Sequence, residues 1–386
     1  MNQRSLVITR RRGHLVIAGL MGLSCGIAGC GDDPRGSSPE TGEAQPPTVP
    51  ALPEGWNELT PGGESLCSRG SEYAYFVHPG TVNRVVIDFI GGGACWSALT
   101  CSVADAIFTD SVDNVRERVA HPELAAGIYD RANPGNPFKD WYHVVIPYCT
   151  GDIHWGDSVT TYGEGDAAVT IHHKGALNAR AVLAWVYESF SAPEHVFVTG
   201  CSAGAYGAAL WAPHVMDHYK NAHVTQFGDS GAGIITDGFF NESFPSWNAE
   251  AAFPTFIPEL DPAKMDIRGL KLPDLYVGVG NHFPEHRISQ YNTAFDKNQV
   301  FFYQAMGGGS AQDWSAAMLA ATNDSTSRAA NYSSFIPSGE QHCILPYANF
   351  YTVNVGGRLL VDWLGDMVDR APLEHFTCTE CATATP

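Results

Sequence analysis

FVTGCSAGAYG, residues 197–207, decides the fold, and it competes with TQFGDSGAGI at 225–234. Each sets a serine between glycines. Ser202 lies in Gly200-Cys201-Ser202-Ala203-Gly204, and Ser230 lies in Gly228-Asp229-Ser230-Gly231. The segment around Ser202 reads as a nucleophile elbow, and the one around Ser230 resembles the nucleophile loop of trypsin-like proteases. HVFVTG (195–200) has the apolar, β-branched character of a buried strand, and AGAYGAALWAPHVMDHY (203–219) reads as a helix. A serine on the turn between them projects its hydroxyl above a sheet. The flanking small residues allow so tight a turn. A trypsin-like protease is all-β, with histidine and aspartate upstream of its serine. This chain alternates α and β and has no matching histidine segment, so Ser230 reads as structural or as part of a pocket wall.

The rest of the chain agrees with that choice. YAYFV (73–77), RVVIDFI (84–90), YHVVIPY (142–148), HVTQF (223–227) and LYVGVG (275–280) read as strands. Residues 84–90, 142–148 and 195–200 are nearly continuous in apolar residues, as a sheet buried on both faces requires. ALNARAVLAWVYESF (176–190) and VGGRLLVDWLGDMV (355–368) read as helices. The expectation is an α/β-hydrolase-like, mostly parallel, doubly wound sheet in a single domain over residues 56–386.

Ahead of that domain stand Arg4, Arg10, Arg11 and Arg12, then the apolar run LVIAGLMGLSCGIAGC. The run is short for a membrane span and reads as an export signal over residues 1–29. It ends in Ile27-Ala28-Gly29-Cys30, which resembles a bacterial lipoprotein box; Cys30 would then carry a lipid and anchor the protein in a membrane facing the periplasm or cell surface. The polar, Pro-rich residues 30–55 read as a disordered tether. Removing residues 1–29 leaves 18 Lys+Arg against 41 Asp+Glu, or −23. So acidic a chain is a poor nucleic-acid binder, because that binding rests on basic contacts to phosphate.

Eight cysteines remain after Cys25 and Cys30 are set aside, and an even number in an exported chain points to disulfides. Cys378-Thr-Glu-Cys381 is a lone CxxC, and zinc would want a second pair or nearby histidines. No metal or cofactor is expected. A serine hydrolase of this fold needs an acid and then a histidine after the nucleophile. His342, in SGEQHCILPY, suits the last role, with His282 and His286 as weaker rivals. Asp274, Asp296 and Asp313 are the candidate acids, and spacing alone does not choose between Asp296 and Asp313.

Six segments in order resemble the pectin acetylesterase / Notum family of carboxylesterases. They are FIGGGACWSALTC (89–101), IPYCTGDIHWG (146–156), GCSAG (200–204), FGDSGAG (227–233), SQYNTAFDKNQ (289–299) and QHC (341–343). The resemblance implies a triad of Ser202, Asp296 and His342, with an oxyanion hole of the Gly93, Ala94 and Ala203 backbone N–H groups. It also implies disulfides Cys67–Cys149 and Cys95–Cys101, and leaves Cys201, Cys343, Cys378 and Cys381 unassigned. Cys201 and Cys343 adjoin Ser202 and His342, which makes a bridge between them possible. Trp96, Asp152, His154 and Trp155 are further candidates for the pocket wall. Where plant members tend to have Gly, this chain has Ala205, and Ala94 stands where they have Trp. The implied activity is removal of acetyl or another short acyl group from a hydroxylated, carbohydrate-like acceptor. The alternatives are a deacylase for longer fatty acyl groups and a binding protein that has lost catalysis.

Overall fold

Nine strands form the central sheet of the computed structural model, which describes residues 48–103, 107–372 and 374–381. In chain order they are β1 (Asn57–Leu59), β2 (Tyr75–His78), β3 (Arg84–Phe89), β4 (Tyr142–Ile146), β5 (His195–Cys201), β6 (His223–Asp229), β7 (Arg287–Tyr291), β8 (Tyr332–Ile336) and β9 (Phe376–Thr377). Their order across the sheet is β1-β2-β4-β3-β5-β6-β7-β8-β9. β1 and β2 run antiparallel, and every pair from β4 to β9 is parallel.

Alternate side chains explain why the central strands are apolar throughout. Val85, Ile87, Val144, Val196 and Val198 enter a core on one face. Val86, Val145, Phe197 and Phe227 enter a core on the other. Helices α1 (Gly175–Ser189) and α2 (Ala203–His218) cover the first face through Val182, Val186, Leu210 and Val215. The late helix α6 (Leu360–Val368) covers the second through Trp363, Leu364 and Met367. This is the expected doubly wound α/β arrangement. Between α2 and α6 lie α3 (Leu272–His282), α4 (Lys297–Ala305) and α5 (Ala311–Arg328).

Two expectations about elements change. Residues 275–280 belong to α3, not to a strand, and all of them are buried. Burial on all sides removes the polar stripe that marks a helix, so a short apolar run there has no diagnostic period. Helix α6 starts at Leu360 rather than 355; Gly356 and Gly357, with φ of 60° and 86°, instead turn a two-residue hairpin between Val355 and Arg358. Such a pair suits the turn because both central residues need positive φ. Strands β7 (RISQY) and β8 (YSSFI) give little strand signal in the sequence, since Ser and Gln in the first and two Ser in the second interrupt their apolar residues.

The expected leader, the expected lipobox with Cys30 and the expected tether as far as residue 47 lie outside the described residues. Residues 48–55 of the expected tether are described, and the Thr48 N–H donates to Ser191 Oγ at 2.8 Å. No described helix is long and apolar enough to cross a membrane. Cys67 bonds Cys149 and Cys95 bonds Cys101, as the resemblance implied; Cys201 pairs with Cys343 and Cys378 with Cys381.

Burial holds four histidines neutral. It pushes His154, His173 and His223 down to about 4, and His195 to about 2. Each therefore contributes stability that is present above about pH 6.5 and lost as pH falls toward the folded value. Asp152 and Asp229 act in the opposite sense: burial raises both to about 6, so they favour the fold as pH drops below that. The histidines outnumber them. The Tm measured by calorimetry is expected to fall by about 5 °C or more between pH 6.5 and 4.5; an unchanged Tm would contradict this account.

Candidate active site

The turn from β5 into α2 places Ser202 at φ 59°, ψ −123°, a strained conformation for a residue with a Cβ. The neighbours enforce it. The Ser202 N–H donates to Asp229 O at 2.8 Å, and Ser202 O accepts from Ala205 N–H at 2.9 Å. A Cβ on Gly204 would lie 1.8 Å from Phe89 O, so only glycine lets α2 pack this close to β3. Ala203 opens α2, whose first-turn N–H groups have no intrahelical partner and carry the positive end of the helix dipole.

Beside the elbow, β3 runs into Gly91-Gly92-Gly93. His154 Nε2 lies 2.8 Å from Ile90 O and ties this strand end down. Gly93 has φ +73° and bridges to Phe108; a Cβ there would stand 1.9 Å from Ile107 O. The loop continues through Ala94 to Cys95, whose N–H donates to Gly151 O and whose carbonyl accepts from Trp247 Nε1. Gly93, Ala94 and Ala203 thus face one cavity together with Ser202 and His342.

Asp296 caps α4, accepting from the Asn298 and Gln299 N–H groups at 3.0 Å each. Fully buried, it also meets His342 Nδ1 at 2.8 and 2.9 Å. The remaining rivals lie elsewhere. Asp313 caps α5 through Ser310, and Asp274 pairs with Arg328. His286 lies just before β7, at the N-terminal ends of the parallel strands and away from the elbow, and its Nδ1 accepts from Val224 N–H. Ser202 Oγ makes no hydrogen bond to His342 among the described residues, but both side chains line the same cavity. Catalytic hydrogen bonds are often long without substrate and tighten around it.

Sequence reasoning missed Gln299. Its Nε2 donates to Asp296 Oδ2 and Asn292 Oδ1, and its Oε1 accepts from Ala232 N–H, so it locks the acid against the loop after β6. The Asp-x-x-Gln spacing at a helix start was the available signal, since an N3 amide commonly reaches back toward the cap. Of the candidate wall residues, Trp96 lines the cavity. Asp152, His154 and Trp155 sit behind it as buried supports: Asp152 caps α1 by accepting from Gly175 N–H, and Trp155 Nε1 donates to Tyr206 O.

Two spaces meet at Ser202. One is a cavity walled by Trp96, Phe239, Phe302, Met306 and Trp314. The other is a wider cleft that includes Asp88, Arg118, Tyr129, Asn298 and Tyr347. An apolar chamber and a polar one suit the two halves of an ester. Donor atoms of Cys201, His342 and Cys343 lie within 4.8 Å of one another, but both sulfurs are spent in one disulfide and offer no thiolate to a metal.

Residues 61–246 match the family model described as Pectinacetylesterase. No curated protein sequence matches the chain. Among solved structures, the Wnt deacylase Notum from Drosophila is similar in fold, with a TM-score of 0.61 at 16% sequence identity over 85% of this chain and 98% of that one.

The elbow's packing makes a clear forecast. Gly204→Ala forces a Cβ against a backbone carbonyl and is expected to leave the protein unfolded or to lower its Tm by about 10 °C. Gly238→Ala, with open space around its Cβ position, is expected to change Tm by no more than about 2 °C. Thermal melts of the two variants check both.

Proposed function

We propose that the chain, whose residues 61–246 match the Pectinacetylesterase family model, is a carboxylic ester hydrolase of the pectin acetylesterase / Notum family, and in particular an exported, lipid-anchored serine esterase. Its substrate is an acetyl or other short acyl ester of a hydroxylated acceptor, with a carbohydrate as the acceptor class. The observation that carries this reading is the buried Asp296 held against His342, whose side chain lines the same cavity as the elbow serine.

His342 takes the proton from Ser202 Oγ as that oxygen attacks the ester carbonyl. The oxyanion is met by backbone N–H groups of Gly93, Ala94 and Ala203; losing one such donor typically costs about 100- to 1,000-fold. His342 then gives its proton to the departing alcohol, and the acyl group stays on Ser202. A water, deprotonated by the same imidazole, releases the acid and restores the serine. Asp296 holds the proton on Nδ1 and stabilises the imidazolium. The alcohol half lies in the polar cleft and the acyl half in the apolar cavity.

The aromatic walls of that cavity favour a second reading, a longer fatty acyl group. Retention of all three triad positions weighs against a binding protein without catalysis. The protein lacking residues 1–30 is expected to hydrolyse p-nitrophenyl esters, and the rate profile from acetate to palmitate distinguishes the two acyl readings. Ser202→Ala is expected to abolish the activity, and Asp296→Asn to lower kcat by about 10⁴-fold. Asp313→Ala removes only a helix cap and is expected to retain it. Activity that survives Ser202→Ala rejects this mechanism.

The anchor has a separate test. The full chain expressed in a bacterial host is expected in the membrane fraction and labelled by radioactive palmitate. Cys30→Ala is expected to remove the label; a labelled Cys30→Ala protein, or an unlabelled wild type, rejects the lipid.

A further inference from the structure

Ser230, the serine that is not at the elbow, is part of a buried device that joins the nucleophile to the histidine loop. β5 and β6 end in register, Cys201 opposite Asp229. The Asp229 carbonyl accepts the Ser202 N–H at 2.8 Å. Its side chain points toward the other partner: Oδ2 accepts from Ile344 N–H at 2.8 Å and from Leu345 N–H at 2.9 Å. Ser230 Oγ accepts from Cys343 N–H at 2.9 Å and donates to Asp229 Oδ1 at 3.1 Å. The Ser230 N–H in turn donates to Tyr291 O at 2.7 Å, fastening the pair to the end of β7.

Three consecutive backbone N–H groups after His342 are therefore held by two adjacent side chains, both fully buried. The residue that holds two of them also holds the nucleophile's own N–H. Asp296 orients the imidazole ring but touches the histidine only through that ring. The backbone that carries the ring is located by Asp229 and Ser230, with the Cys201–Cys343 disulfide running alongside.

We propose that Asp229 and Ser230 are positioning residues that set the separation of Ser202 and His342, so that proton transfer between them depends on this clamp. The inference rests on the serine-esterase reading. A carboxylate is a costly choice for a buried acceptor, since burial raises Asp229 to about 6 while its backbone hydrogen bonds and the nearby His342 favour the charged form. The other titratable groups around it are Tyr291 on β7 and Asp296 at the start of α4, and the neighbouring sulfurs are bonded to each other.

The test is steady-state kinetics of Asp229→Asn and Ser230→Ala in the disulfide-bonded protein, with thermal melts alongside. Both are expected to lower kcat roughly 10- to 100-fold, as small misplacements of reacting groups do, with KM within about twofold. Ser230→Ala removes a single hydroxyl and decides the matter if Asp229→Asn does not fold. Folded variants with wild-type kcat, or losses that vanish when the assay is run further below each Tm, overturn the clamp. A wild-type protein inactive on every ester overturns the esterase reading and the clamp with it, whereas an active wild type beside unaffected variants overturns the clamp alone.

Discussion

The parallel register of β5 with β6 is the constraint on which the site depends. It ends with Cys201 opposite Asp229, and each strand then leaves the sheet through a residue with positive φ, Ser202 and Ser230. Because the two strands end level, the backbone of one can hold the nucleophile while its side chain holds the loop from the other end of the chain. A slip by one residue would turn Asp229 to the opposite face and strip the histidine loop of two acceptors. The apolar content of β5 resists such a slip, since Val196 and Val198 belong to one core and Phe197 to the other.

Around that junction the protein spends buried polar groups on loops rather than on elements. Asp152, Asp229 and Asp296 are each fully buried, and each accepts backbone N–H groups from a segment distant from its own strand or at a helix start. Satisfied in this way, a carboxylate rigidifies a loop that has no ladder of its own. Left unsatisfied it would cost more than it contributes. Histidines serve the same end in neutral form, as His154 does at the edge of the glycine loop.

The two spaces beside Ser202 differ in origin. The glycine-rich turn after β3 and the elbow come from neighbouring strands and form one wall. The aromatic side of the cavity comes from Phe239, Phe302 and Trp314, on segments that follow β6 and β7. The catalytic frame is thus a property of the sheet. The acyl chamber is a property of the connections, where a chain can vary without disturbing the strands.

The sequence alone carried the sheet and the elbow, because both are local. Continuous apolar runs specify a sheet covered on two faces, and a strand, GxSxG and a helix in succession specify a sharp turn. The steric demand at Gly204 comes from the adjacent β3 and recurs wherever this turn is made. The choice of acid was not local. Asp296 and Asp313 both sit at helix starts and accept backbone N–H groups, so their surroundings in sequence are alike. Only folding brings the His342 ring to within 2.8 Å of one of them. The same holds for Cys201 and Cys343, separated by 142 residues, and for Ser230, whose role is set by an N–H more than a hundred residues away. Spacing along a chain records what neighbouring residues can do together; which distant loop reaches a strand end is decided by the packing of the whole sheet.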